Sequence, residues 1–372
     1  MKTVCELNKC AGCMACLESC TKNAIHVEKR LDAYNAVIDT SRCINCGACH
    51  RICHVNYPAD FRKPVRWWQG WTKSKTILER SSSGGAASAI ESAFLHSGGV
   101  VCSCQFTKGE FGFSFADTEE ALKNFCGSKY VKSNPKGIYR ELKTRLKSGQ
   151  KVLFVGLPCQ VSAVRNFVGK TLEENLFTAD LICHGSPNPE VLEIFLKQYG
   201  MSLKNLDTIQ FRSKTSFQLK ENEKPIGTLG TLDRYTLAFL NGISYTENCY
   251  SCSYARRERV SDITLGDSWG TELDIKSGVS LILCQTEKGV HLVEQAELEL
   301  KGVDIDNAIA NNKQLQYPSK LPTDRKEFFD EISEKKFNDV VKKHFPMQCR
   351  KQQLKGILLK LGILNRGGIT HK

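Results

Sequence analysis

The chain has 372 residues, 41% of them hydrophobic, with a formal net charge of +12 and 18 cysteines. That length suggests two or three domains with a sizeable core, and no apolar run approaches the roughly 18 residues of a membrane span. The start MKTVCELNKC lacks the apolar stretch of a secretory signal, and no Lys/Arg run is interleaved with aromatics as in single-strand binders, so neither a secreted disulfide scaffold nor a nucleic-acid partner is expected.

The first element is a repeat. Cys10, Cys13, Cys16 and Cys20 have the spacing Cys-x2-Cys-x2-Cys-x3-Cys, and Cys43, Cys46, Cys49 and Cys53 repeat it. Three cysteines spaced by two residues can curl around one iron–sulfur cube, whereas the fourth reaches a second cube more easily. Zinc sites favour Cys-x2-Cys pairs split by a longer loop, which these runs do not show. Residues 3–57 thus resemble a bacterial two-cluster ferredoxin domain. The resemblance assigns Cys10, Cys13, Cys16 and Cys53 to one 4Fe-4S cluster, and Cys43, Cys46, Cys49 and Cys20 to the other. Gly12 and Gly47 fall where a tightly wrapped backbone benefits from lacking a side chain. Those ferredoxins usually carry Pro after each fourth cysteine; here Thr21 and His54 stand there. Two oxidised cubes at roughly −2 each, with a third if present, lower the net charge well below its formal value. Clusters and many cysteines without a secretion signal point to a reducing cytoplasm, and the oxygen sensitivity of such cubes fits an anaerobic host.

Residues 61–80 read as a junction out of the cluster domain, with Trp67, Trp68 and Trp71 packing there. In SSSGGAASAIESAFLHSGG, Ser81 to Ser83 can cap a helix that Gly98–Gly99 end. Such a Gly/Ser-rich helix start could also hold a cofactor phosphate, a capped core helix being the plainer reading. VVCSCQF (100–106) reads as a strand with a hairpin partner at 109–116, and a helix follows at about 136–148. Strands at 151–156 and 175–185 then alternate with helices at 158–169 and 188–200, which suggests a mostly parallel sheet. Residues 206–245 read as β-rich, with strands at 207–212 and 235–240. Further strands fall at 262–270 and 279–286, and the remainder is mostly helical.

Three cysteine-bearing elements recur in this larger region. Cys159 in GLPCQ follows a buried strand, with Pro158 suited to a first helical turn. Cys183 in LICHG ends the next strand, where ligands of open α/β sheets gather. Cys249 and Cys252 in NCYSC form a Cys-x2-Cys pair. Four thiols are what one further cube requires, but a redox-active Cys159, a zinc site or ordinary buried cysteines remain open from spacing alone. Cys5, Cys102, Cys104, Cys126, Cys284 and Cys349 show no ligand pattern and read as structural, with Cys102-x-Cys104 unexplained.

The motifs SSSGG, GSKYV, VLFVGLPCQ, DLICHG, FRSK, CYSCSYA and RVSDITLGDSWG stand in one order over residues 65–290. In that order they resemble the β-subunit family of coenzyme F(420) hydrogenases and dehydrogenases. The resemblance implies an FAD and a 4Fe-4S cluster in the larger domain, with Cys159, Cys183, Cys249 and Cys252 as ligands. It makes Ser83, Gly84 and Gly85 candidates to face the FAD phosphates, with Ser128 and Lys129 as donors; a solvated Lys129 is the plainer alternative. His184 could tune a potential, relay a proton or simply be structural. Asp262, Asp267 and Trp269 read as a structural turn. The expected organisation is α+β and α/β: a small ferredoxin-like domain (1–60), the junction (61–80), a mixed α/β flavin and cluster domain (81–345), and a basic amphipathic C-terminal helix and tail (346–372).

The function so implied is an iron–sulfur flavoprotein oxidoreductase with three 4Fe-4S clusters and FAD. It would join a redox partner, such as ferredoxin or a partner oxidoreductase subunit, to a small-molecule hydride donor or acceptor, with F(420) or another organic substrate in that role. The alternative is a non-catalytic electron-transfer subunit feeding a partner enzyme. At the C-terminus, Leu354, Ile357, Leu358, Leu361 and Leu364 share a helical face within 350–366. Docking on the protein's own core or a partner is the first reading, and a basic helix on an anionic membrane surface the second.

Overall fold

The structure, a computed structural model, describes residues 2–364. At its N-terminal end, helices Ala15–Ser19 and Ala48–Ile52 flank an antiparallel hairpin of β1 (Ile25–Lys29) and β2 (Tyr34–Ile38). The hairpin's inner strand is wholly buried, and Val4, Cys5, Tyr34, Ala36 and Ile38 form a small core beneath the cysteines.

The larger unit is built on one mixed sheet. Its strands are β3 (Arg66–Thr72), β4 (Val100–Thr107), β5 (Glu110–Ala116), β6 (Val152–Gly156) and β7 (Leu176–Leu181). A separate three-stranded sheet follows, made of β8 (Gln210–Ser213), β9 (Ser216–Glu221) and β10 (Lys224–Pro225). The chain then returns to the large sheet through β11 (Ile263–Asp267), β12 (Ser280–Cys284) and β13 (Leu298–Lys301). The large sheet runs β13-β3-β12-β11-β7-β6-β4-β5. Its centre, β4-β6-β7-β11, is parallel, and the strands on either side pair antiparallel. Strand β6 is buried along its whole length, as a parallel strand covered on both faces should be.

Alternation along the strands separates two cores. Val101, Leu153, Val155 and Ala179 pack with helices Ala86–His96 and Glu287–Gln295. Cys102, Val152 and Phe154 pack on the opposite side with helices Ile138–Lys147 and Pro158–Val168. This gives Cys102 an ordinary place in the core. The second core also takes in Cys13 and Ala15, so the N-terminal unit shares apolar packing with the larger one. Polar contacts fix the same junction: Tyr139 donates its hydroxyl to the Cys13 carbonyl, and Asn166 donates to the carbonyls of Ile52 and Tyr57.

Four expectations are corrected. The supposed junction contains β3, paired between β12 and β13, and Trp67 and Trp68 pack in cores beside the large sheet. Residues 235–240 are not a strand but part of helix Arg234–Leu240. Its β-branched and aromatic content imitates a strand, but Asp233 caps it by accepting from Thr236 N, and burial of Tyr235 to Phe239 in succession removes any periodic signal. Ser81 to Ser83 do not cap the helix Ala86–His96; Gly85, with φ of 78°, occupies the cap position.

The fourth lies in helix Pro346–Lys360, which turns Leu354, Ile357 and Leu361 outward, so that stripe is not docked on the protein's own core. The helix lays Cys349, Gln352 and Gly356 inward instead. Gln352 accepts from Leu232 N, and Gly356 lets the loop at Thr228–Thr231 approach. Residues 365–372 of the expected tail lie outside the described residues. Among those described, no helix is long and apolar enough to cross a membrane.

Candidate functional site

The two cysteine runs fold as copies of each other. Gly12 and Asn45, at equivalent positions, both have positive φ, as do Met14 and Gly47. This left-handed step turns the Gly12 and Asn45 amides back, each 3.4 Å from the sulfur of the first cysteine in its run. Cys10, Cys13, Cys16 and Cys53 line one cavity, and Cys20, Cys43, Cys46 and Cys49 line another. The fourth cysteine of each run therefore sits in the other run's cavity.

Their surroundings differ. All four cysteines of the first cavity are buried, whereas Cys46 of the second is exposed and its companions half-buried. The first cavity also contains Cys5, which no spacing rule singles out. Cys5 is brought there when Val4 N bonds to the Ala36 carbonyl on the hairpin. Its thiol beside Cys53 draws the Cys53 pKa below the usual thiol value, while burial raises those of Cys13 and Cys16.

The third set, Cys159, Cys183, Cys249 and Cys252, lines a cavity of about 320 Å³ between the two units. Cys159 stands in the first turn of helix Pro158–Val168, just beyond β6. Cys183 lies just past β7, so both sit at the C-terminal ends of parallel strands. Cys249 and Cys252 come from the turn at Glu247–Ser251, held against Ser186 by the Thr246 amide and hydroxyl. Arg259, 2% exposed, pairs with Asp180 and donates to the carbonyls of Tyr254 and Leu181 behind the cavity. Burial pushes the thiols of Cys159, Cys183 and Cys252 upward. Thiolates at such a place need a strong local positive charge.

His184 lines this cavity, and burial holds its pKa below the usual histidine value. Ala11, His54 and Lys132 close the side facing the N-terminal unit. Lys132 is buried, donates to the Ala11 carbonyl at 3.0 Å and lies over the Tyr34 ring. Nothing in its sequence surroundings marked Lys132, because its partners are more than 90 residues away. Among the described residues, no three His, Cys, Asp or Glu side chains come together closely enough for a single metal ion. Each quartet instead rings a cavity.

The other candidate residues gather elsewhere on the same sheet edge. Ser128 N donates to Ser82 Oγ, which joins the SSSGG and GSKY segments. Ser83 Oγ donates to the Val279 carbonyl, and Gly84 lies so close to Gly70 and Ser280 that a Cβ would collide with their backbone. Lys129 is not a solvated lysine: its ammonium donates to the carbonyls of Phe125, Cys126 and Gly127. Lys214, from the FRSK motif, donates to the carbonyls of Leu78, Ser81 and Ser83. Arg80 Nε is buried with no partner among the described residues. Lys214 thus holds the loop before helix Ala86–His96, Lys129 holds the 125–127 segment, and the Ser128–Ser82 bond joins the two. Ser280 starts β12, two strands from β7 and three from β6, so this loop lies about 10–15 Å from the third cavity by strand spacing.

Asp262 and Asp267 serve structure. Asp262 accepts from Thr178 and Arg165, and Asp267 forms a two-pronged pair with Arg212. Trp269 is half-buried beside them in sequence.

A ferredoxin-like unit docked on a mixed α/β unit, with cysteine quartets in both, defines an iron–sulfur oxidoreductase class. Residues 67–136 and 149–306 match the N- and C-terminal models of the coenzyme F420 hydrogenase/dehydrogenase beta subunit. Residues 9–57 match a 4Fe-4S dicluster domain. The chain belongs to the coenzyme F420 hydrogenase/dehydrogenase beta-subunit family and carries a 4Fe-4S dicluster domain ahead of it. No curated protein matches it. A chain from the xenon-derivatised F420-reducing [NiFe] hydrogenase complex of Methanosarcina barkeri is similar at 20% identity and a TM-score of 0.49, covering 68% of this chain and 91% of that one.

Proposed function

We propose that this protein is an iron–sulfur flavoprotein oxidoreductase that passes electrons between ferredoxin-type clusters and a hydride donor or acceptor. The observation that carries this reading is the placement of the cysteine quartets. The buried N-terminal cavity and the cavity of the larger unit share Ala11, His54 and Val55 as lining residues, while the other N-terminal cavity faces outward. Cys10, Cys13, Cys16 and Cys53 would hold one 4Fe-4S cluster, and Cys20, Cys43, Cys46 and Cys49 another. Cys159, Cys183, Cys249 and Cys252 would hold a third.

The Gly/Ser-rich start of helix Ala86–His96, with Lys214 at its loop and the GSKY segment bonded to it, suits a dinucleotide phosphate. Ser83, Gly84, Gly85, Ser128 and Lys129 would hold FAD, with Lys214 and Arg80 added to them by position. When bound, the clusters supply one-electron transfer and the flavin supplies the exchange between one-electron and two-electron chemistry. The residues of the chain space these sites, keep water from the buried first quartet and place Lys214 at the loop where a phosphate would lie. The substrate class is a hydride carrier such as coenzyme F420 or another organic molecule, and a one-electron carrier or partner subunit would meet the outward quartet. A cytoplasmic location fits this chemistry.

The test is Cys159→Ala in full-length protein prepared anaerobically. Substrate should still reduce or reoxidise the flavin in a single turnover, while steady-state turnover with a dye reaching the N-terminal clusters collapses. Normal steady-state turnover would remove Cys159 from the path. Wild-type activity appearing only with a second protein would favour a non-catalytic electron-transfer subunit.

A further inference from the structure

We propose that His54 is a positioning residue between the first and third cysteine cavities, donating its Nε2–H to a sulfur of a cluster bound there. This rests on the three-cluster reading above. His54 directly follows Cys53, is 3% exposed, and lines both cavities. Its Nδ1 lies 2.9 Å from the Tyr254 hydroxyl, while its Nε2 is buried with no partner among the described residues. The same hydroxyl can donate to the His54 carbonyl, 3.2 Å away. Its one proton serves either acceptor, and the proposed tautomer is the one in which Nδ1 receives it and the ring proton sits on Nε2.

A buried N–H without an acceptor is rarely left so. The acceptors that the proposed chemistry adds to these cavities are cluster sulfurs. Hydrogen bonds to such sulfurs stabilise the more negative reduced state and raise its potential. The equivalent position after the other fourth cysteine is Thr21, which is exposed. Bacterial ferredoxins usually have Pro there, which has no side-chain donor. The buried donor is thus confined to the cluster site that faces the larger unit. His54 is itself neither oxidised nor reduced in this role.

The test uses the full-length chain loaded with iron and sulfide and first counted for iron, so a failure of the three-cluster reading is seen separately. In reduced wild-type protein grown with nitrogen-15 histidine, pulsed EPR should show histidine nitrogen coupled to a cluster. One coupling should be lost in His54→Gln, apart from any that His50 and His184 make beside Cys49 and Cys183. No histidine coupling in the wild type, or the same set of couplings in both proteins, overturns the proposal. In redox titrations, one cluster potential should fall in His54→Phe and recover in His54→Gln, which keeps an N–H donor. Equal potentials in all three proteins would also overturn it.

Discussion

The two cysteine runs share a spacing, a pair of left-handed backbone positions and a short helix, yet occupy different environments. The run from Cys10 is closed over by Tyr34, Lys132 and Tyr139 and shares a core with the larger unit. The run from Cys43 opens outward, with Cys46 exposed, Ile44 60% exposed, and the exposed cations Arg42 and Arg51 alongside. Spacing governs which thiols meet, and packing governs what can reach them. Gly12 and Asn45 show the difference most locally. Both need a left-handed backbone, but the Tyr34 ring leaves no room for a side chain at Gly12, whereas Asn45 has space to bond Lys2.

The contrast is broken most severely by removing a cysteine from each quartet. Cys13→Ala and Cys46→Ala should each cost about four irons per chain. Only Cys13→Ala should also loosen the docking of the N-terminal unit, because Cys13 packs in the shared core. Iron analysis beside limited proteolysis near residue 60 checks this; equal protease resistance in both variants would contradict the difference in packing.

A finer test uses one substitution at two glycines. Gly12→Ala puts a Cβ 2.7 Å from the Tyr34 ring at a φ of 71°, and Gly47→Ala puts one 2.9 Å from the mobile end of Arg51 at a φ of 69°. Left-handed strain costs both about 1–2 kcal/mol, and overpacking adds about 1–3 kcal/mol at Gly12 alone. Denaturation of the loaded proteins should rank Gly12→Ala clearly below Gly47→Ala, and the reverse order would count against the packing described.

The smallest effect is expected from Cys5→Ala, which removes the extra thiol found only in the buried cavity. Iron content should stay unchanged and stability fall by about 1 kcal/mol. Loss of about four irons would make Cys5 a ligand.

What could be read in the sequence was local or periodic. Cysteine spacing exposed the repeat, and alternation of β6, β7 and their helices exposed the parallel centre of the sheet. Features set by distant packing were not readable. Strand β3 looked like a linker because its two partners lie more than 200 residues further along. Helix Arg234–Leu240 buries its five central residues, Tyr235 to Phe239, in succession and so shows no stripe. The C-terminal helix turns inward on Gly356, where hydrophobicity carries no signal. At the candidate sites, Cys5, His54, Lys132 and Lys214 acquire their places only through long-range contacts.

The central claim is that three cysteine quartets each hold a cube, two in the N-terminal unit and one in the larger one. Iron, sulfide and zinc analysis of anaerobically reconstituted full-length protein tests it most directly. The account predicts about twelve irons and as many sulfides per chain. About eight irons would remove the third cluster, and stoichiometric zinc with little iron would contradict the account as a whole.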